Sequence, residues 1–166
     1  MLEIFKCVSD NVNLDDYLKL YKYVRDNMEY PEWLGIFTRD EIIDILKNEG
    51  KIWLYYDNDN LVCSMFYMPI NEKSLAKHNV FYSERLVGSL GPIMVSPDYI
   101  GHGYQKEMLK ILDRYCRNIN KKYLFTKVCA NNLYSLNNML QDNYKVVDKY
   151  VNERGENIAL IKDIGD

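Results

Sequence analysis

The 166 residues suit one ordinary domain, large enough to bury roughly 70% of the surface its unfolded chain exposes. With 48% hydrophobic residues it can build a core, and a net charge of -3 argues against non-specific binding to nucleic acid. No run of about 18 apolar residues occurs, and the opening "MLEIFKCVSDN" lacks a basic region ahead of an apolar one, so the expectation is a soluble, cytoplasmic chain with no membrane partner.

Residues 14–28, "LDDYLKLYKYVRDNM", place Leu14, Leu18, Tyr21 and Val24 at helical spacing. Pro31 in "EYPEWLG" breaks that helix. A second helix opens on Thr38-Arg39-Asp40-Glu41, a capping box whose hydroxyl and carboxylate can satisfy free amides reciprocally, and it ends at Gly50. "KIWLYY" and "LVCSMFYM" flank "DNDN" at 57–60 and read as a β-hairpin. Residues 86–95, "LVGSLGPIMV", form another β-like run. Proline cannot donate to a sheet ladder, so Pro92 requires either a bulge at Gly91-Pro92 or an edge or turn there.

From Tyr104 to Ile119 apolar residues recur at 104, 108, 111, 112, 115 and 119, a helix with one buried face. "YLFTKVCA" (123–130) reads as a strand and 132–141 as a short helix. "YKVVDKYV" and "IALIKDI" close the chain as two strands around "NERGEN". Without repeats, low-complexity tracts or a Pro/Ser-rich linker, residues 1–166 read as a single domain. The order predicts an α/β fold: a mixed sheet covered by helices.

Cys7, Cys63, Cys116 and Cys129 are scattered, form no C-x-x-C pair and sit in apolar segments, which predicts buried free thiols. His78 and His102 are the only histidines, too few for a His-based metal site. No metal is expected.

The stretch "PDYIGHGYQKEML" (97–109) carries the chemistry. A strand ending at Val95, a loop with Gly101 and Gly103, and a helix starting near Gly103 bring free amides and the positive helix end to one point. Such an end suits a phosphate or pyrophosphate, and glycines let the ligand approach the backbone without meeting a Cβ. Lys106 and Lys110 add charge nearby. A Rossmann site fits poorly, because its glycine loop follows an early strand and carries a third glycine. A Walker loop is excluded, since no G-K-[ST] follows. On these residues alone a plain turn stays open.

The wider segment "LGPIMVSPDYIGHGYQKEMLKIL" resembles the acetyl-CoA-binding motif of the GNAT superfamily of N-acetyltransferases. Val95, Pro97, Asp98, Tyr99, Gly101 and Gly103 fall on its strand end, its Pro-Asp-Tyr type turn and its [QR]-x-x-G-x-[GA] loop. Downstream, "NLYSLNNMLQDNY" is similar to the family's N-x-x-[AS]…Y-x-x-x-G-F: Asn132 and Ser135 match, and Asn143-Tyr144 stands for Gly-Phe. The order and spacing of elements agree from about residue 51 to 162. Three positions depart from the pattern. Ile100 stands for the leading Gln/Arg, Gln105 for the closing Gly/Ala, and Met139 for the frequent tyrosine acid.

The resemblance implies a mixed, mostly antiparallel central sheet with a splayed parallel strand pair and helices on both faces. It implies acetyl-CoA as co-substrate, with Ile93, Met94 and Val95 along the pantetheine arm. Gly101, His102, Gly103, Tyr104, Gln105 and Lys106 would supply amides to the pyrophosphate. Asn132 would hydrogen-bond the cofactor, although its position equally suits a helix N-cap. The backbone N–H of Ile93 or Met94 would stabilise the oxyanion, and Ser89 (holding a water) or Glu84 would serve as proton acceptor. By the same resemblance the acceptor pocket comes from the N-terminal helices and the 69–85 loop. Glu29, Tyr30, Glu32 and Trp33 combine carboxylates with aromatic faces there, which suits a cationic amine, or they form a solvated acidic loop. The expected partners are thus acetyl-CoA and a primary-amine acceptor, with a homodimer among the assemblies left open. Ile100, Gln105 and Met139 support an alternative, a non-catalytic CoA-binding or interaction module of the same fold.

Overall fold

The computed structural model describes residues 4–165. Its helices are α1 (Asn11–Asp26), α2 (Arg39–Lys47), α3 (Glu72–Ala76), α4 (Tyr104–Asn118) and α5 (Leu133–Gln141). Its strands are β1 (Lys6–Cys7), β2 (Lys51–Asp57), β3 (Asn60–Pro69), β4 (Val87–Leu90), β5 (Met94–Val95), β6 (Tyr123–Cys129), β7 (Lys145–Asn152) and β8 (Gly155–Asp163). The chain divides into two compact units. One runs through Met68 and resumes at Gly91–Leu112; the other holds Pro69–Leu90 and the chain from Asp113 onward.

In the first unit Asp10 caps α1, its carboxylate accepting from the Asn13 amide at 2.8 Å. The helix buries Leu14, Tyr17, Leu20, Tyr21 and Val24 against Ile52, Leu54, Phe66 and Met94. Leu18 only flanks this core, because Tyr17 and Leu20 point more directly inward. Each fully buried large side chain contributes about 1.5–3 kcal/mol. At the start of α2 the Glu41 amide donates to Thr38 Oγ1 at 3.1 Å. The Glu41 carboxylate takes the Thr38 hydroxyl at 3.2 Å, where a full capping box would have it take the amide. The helix closes with the Gly50 amide donating to Ile45 O at 2.9 Å, while Glu49 (φ 73°) takes the left-handed position usually given to glycine.

β2 and β3 form the expected antiparallel hairpin, with Asp57 opposite Asn60. Asn58 at φ 57° supplies the left-handed residue of its two-residue turn. The run 86–95 divides into β4 and β5 around Gly91–Ile93. The Gly91 amide bonds Phe66 O at 2.8 Å, and Met94 pairs with Ser64. Three steps of chain, 91 to 94, therefore lie beside two steps of β3, 66 to 64, which is the extra residue of a bulge. Pro92 sits in it, where no ladder N–H is needed. A Cβ on Gly91 would stand 2.8 Å from Phe66 Cγ and 2.9 Å from Met68 Sδ, so the bulge requires glycine.

The second unit contains the parallel pair, β4 with β6, over Val87↔Tyr123 to Ser89↔Phe125. Beyond Phe125 that ladder stops, while β6 continues antiparallel to β8 as far as Cys129↔Asn157. β7 pairs antiparallel with β8. Leu75, Val80, Val87, Phe125 and Ala159 form this unit's core. Lys162 is 8% exposed; its Nζ lies 2.5 Å from Asp113 Oδ2 and 3.1 Å from Asp142 Oδ2, over the Tyr144 ring.

The fold is thus mixed α/β, mostly antiparallel with one parallel pair, as the sequence predicts. Cys63, Cys116 and Cys129 are buried free thiols, but Cys7 is exposed, because a two-residue strand cannot cover it. Among the described residues no helix is long and apolar enough to cross a membrane.

Candidate active site

The loop after β5 is anchored on both sides. The Ser96 amide bonds Val62 O at 2.8 Å, and Ser96 Oγ accepts from the Asp98 amide at 3.4 Å, closing a 3-10 turn over Pro97–Tyr99. The Asp98 carboxylate accepts the Tyr23 hydroxyl at 3.1 and 3.3 Å, tying the turn to α1. Gly101 (φ +92°) and Gly103 (φ +77°) then reverse the chain into α4. A Cβ at either would meet nothing within 4 Å, so it is the backbone conformation that demands glycine, and the space beside both is open. The α4 ladder starts with the Glu107 amide donating to Gly103 O at 3.2 Å, so the amides before it, those of Gly103, Tyr104 and Lys106 among them, point out of the helix end.

His102, Gly103 and Lys106 are exposed, Tyr104 is half-buried and Gln105 is buried. The Tyr104 ring packs 6.0 Å from that of Tyr55, which fixes the first residue of the helix. Lys110 is engaged with Glu107 at 3.3 Å, leaving Lys106 as the nearer cation. Ile100 is 67% exposed and brings no donor. Open glycines, outward amides and a positive helix end together fit a diphosphate.

Behind the loop, Ile93 and Val95 are half-buried and Met94 is buried in the core. Val95 pairs with Cys63, whose thiol burial pushes up to about 12, so it stays protonated.

Glu29, Tyr30, Glu32 and Trp33 also belong to this unit. Glu29, Tyr30 and Glu32 are exposed, and the Tyr30 and Trp33 rings lie 5.0 Å apart around the 3-10 turn Pro31–Trp33. Beside the loop and α1 opens a cleft of ≈ 500 Å³ lined by Asp16, Lys19, Tyr23, Tyr56, Asp59 and Asp98 among others. In it the Tyr56 hydroxyl donates to Asp16 at 2.6 Å. Sequence reasoning did not find this cleft, whose walls come from three separate segments.

Ser89, Glu84 and Asn132 belong to the second unit. Ser89 is buried at the end of the parallel ladder. Glu84 is exposed in a 3-10 turn, its amide donating to Glu72 Oε1 at 3.2 Å. The Asn132 side chain caps α5 by accepting from the Ser135 amide at 3.4 Å. Met139 is buried, whereas Tyr134 on the same helix is 62% exposed. Among the described residues no group of three His, Cys, Asp or Glu could hold a metal.

A glycine-flanked amide cradle at a helix N-terminus, placed after a bulged strand in a mixed sheet, suits an anionic ligand such as a diphosphate. The sequence matches the model of the acetyltransferase (GNAT) family over residues 14–139, and the chain belongs to that family. The chain is accordingly an acyltransferase of the N-acetyltransferase type. No curated protein matches it in sequence.

Solved structures agree on the fold. An N-acetyltransferase of Staphylococcus aureus Mu50 superposes with a TM-score of 0.73 at 15% identity, covering 96% of this chain and 97% of that one. A ribosomal-protein-alanine N-acetyltransferase of Brucella melitensis gives 0.72 at 15% identity, covering 95% and 99%. The yncA protein of Salmonella typhimurium, solved with its cofactor acetyl-CoA, gives 0.72 at 10% identity, covering 98% and 95%.

Proposed function

We propose that the protein moves an acetyl group from acetyl-CoA to a primary amine of a small molecule or peptide by direct transfer. The loop at 100–106 supports this most strongly: two left-handed glycines with open space beside them, at the positive end of a 15-residue helix. Gly101, His102, Gly103, Tyr104, Gln105 and Lys106 would hold the diphosphate through backbone amides, with Lys106 adding charge. Ile93, Met94 and Val95 would meet the pantetheine arm through their backbones, and Asn132 would hydrogen-bond the cofactor. Bound acetyl-CoA supplies an activated thioester.

The Ile93 backbone N–H is the proposed oxyanion donor, since that of Met94, the other candidate, is turned into the ladder toward Ser64 of β3; Ser89 and Glu84 are the proton acceptors suggested by sequence. Buried Met139 offers no acid. A thiolate leaves readily, since an ordinary thiol has a pKa near 8.5, so transfer proceeds without one. Glu29, Tyr30, Glu32 and Trp33 would face a cationic acceptor. The single domain, the cytoplasmic location and a homodimer belong to the same proposal.

Two similar structures are ribosomal-protein-alanine N-acetyltransferases, which makes a peptide with an N-terminal alanine the first acceptor to try. The test is a screen of that peptide, polyamines and amino-sugar amines with acetyl-CoA, following thiol release and acetylated product. Product from at least one amine class is expected. Tight acetyl-CoA binding with no product from any class would leave the domain a binding module.

A further inference from the structure

A loop that binds a diphosphate has to be held as well as shaped, because amides aimed at an anion lose their value once the loop can turn them away. In the first unit the short turn Pro97–Tyr99 leads straight into Gly101 and Gly103, so it sets where their loop begins. That turn closes on itself. The Tyr99 amide donates to Ser96 O at 2.9 Å, and the Asp98 amide donates to Ser96 Oγ at 3.4 Å. Its near end is held on β3 by the Ser96 amide, which bonds Val62 O. The Asp98 carboxylate is no part of these bonds. It reaches α1 instead, 75 positions away in sequence, where the Tyr23 hydroxyl donates to both of its oxygens at 3.1 and 3.3 Å.

Two features of this bond exceed what the turn needs in order to fold. It is charge-assisted, a stronger kind than a neutral pair, yet Tyr23 is 43% exposed and Asp98 is exposed as well, where side-chain bonds add little to stability. It also concerns a carboxylate three residues ahead of Gly101, at most about 10 Å of chain from the amides proposed for the diphosphate. That is about one screening length at 0.1 M salt, so the direction in which the carboxylate points is felt by an anion bound there. The Tyr23 hydroxyl turns it towards α1. The bond to Asp98 in turn holds that hydroxyl above the ordinary tyrosine range, so it stays a donor well past neutral pH. The other charged groups of the cleft beside this bond are Asp16, Lys19 and Asp59, and Asp16 is itself engaged by the Tyr56 hydroxyl at 2.6 Å.

We infer that Tyr23 is a positioning residue for acetyl-CoA: through Asp98 it pins the turn ahead of the glycine loop to α1 and keeps the carboxylate off the diphosphate. The inference rests on the proposal that the loop at 100–106 holds that diphosphate.

Calorimetric titration of acetyl-CoA into the full chain at about 0.1 M salt tests it. Tyr23→Phe removes a single oxygen, unpins the turn and frees the carboxylate. Its Kd for acetyl-CoA should rise by about 5- to 10-fold, while Tm falls by no more than about 2 °C. Asp98→Asn keeps an oxygen for the hydroxyl and drops the charge, so its Kd should equal or fall below that of the wild type. Tyr23→Phe combined with Asp98→Asn leaves no charge to misplace and should lie between the two. In turnover with the best amine of the screen, Tyr23→Phe should raise the KM for acetyl-CoA in step with Kd and leave kcat at saturation unchanged. A folded Tyr23→Phe with wild-type Kd overturns the inference alone. So does an Asp98→Asn whose Kd rises as far as that of Tyr23→Phe, a loss of affinity that comes with a large fall in Tm, or a lowered kcat at saturation. No binding of acetyl-CoA by the wild type overturns the proposal for the loop and the inference with it.

Discussion

Replacing Gly103 by asparagine separates the two reasons a glycine can stand there. At φ +77° an L-residue pays about 1–2 kcal/mol, but asparagine adopts this region more readily than most. The cost to folding should stay below about 1 kcal/mol, since a Cβ here meets no protein atom within 4 Å. For a domain of this size that lowers Tm by less than about 4 °C. The new side chain enters the open space beside the amides instead. If that space holds the diphosphate, one charge-assisted hydrogen bond or more is lost, each about 1.5–3 kcal/mol. The Kd for acetyl-CoA should then rise by about 10- to 100-fold, measured by calorimetry on the folded variant. An unchanged Kd would show that the glycines serve only the turn, and the argument from open space would fail.

Other consequences follow from the packing. Glu49→Gly, which removes a left-handed L-residue at the end of α2, should stabilise by about 0.5–1 kcal/mol in urea unfolding after the entropy of glycine is deducted. Lys162→Met strands Asp113 and Asp142 in the second unit and should cost about 3–5 kcal/mol by the same measurement. In the native protein a disulfide reagent should titrate one thiol quickly, Cys7, and all four only after denaturation. Burial holds Cys63 and Cys116 up to about 12 from a usual 9.0, so above pH 9 the unfolded chain loses protons that the native state keeps. Stability should therefore fall by about 1.4 kcal/mol per thiol per pH unit from pH 9 towards 12, seen as a declining Tm.

Local signals carried far in this sequence. The apolar spacing of α1 and α4, the Thr38 cap, the "DNDN" turn and the Pro92 bulge all depend on residues within a few positions of one another, and periodicity or backbone chemistry exposes them. The glycine loop was legible for the same reason. What was not legible depends on long-range closure. β1 is two residues long and gains its identity from pairing with β2. α3 spans only five residues, too few for a period to show. Ile119 fits the helical spacing yet lies past the end of α4, so it is exposed. The Asp98–Tyr23 tie and the Lys162 triad join residues tens of positions apart, and no local pattern announces them.

Holding the diphosphate of acetyl-CoA is the central role proposed for the loop at 100–106, and a calorimetric titration with acetyl-CoA tests it most directly. Ligand at about 100 times its Kd should also stabilise the fold by about 2.7 kcal/mol, raising Tm by several degrees. NAD at equal concentration, which shares a diphosphate but not the pantetheine arm, should produce neither effect. Heat and a raised Tm with acetyl-CoA alone are the predicted result. An unmoved melting curve and no heat at millimolar acetyl-CoA would contradict the account.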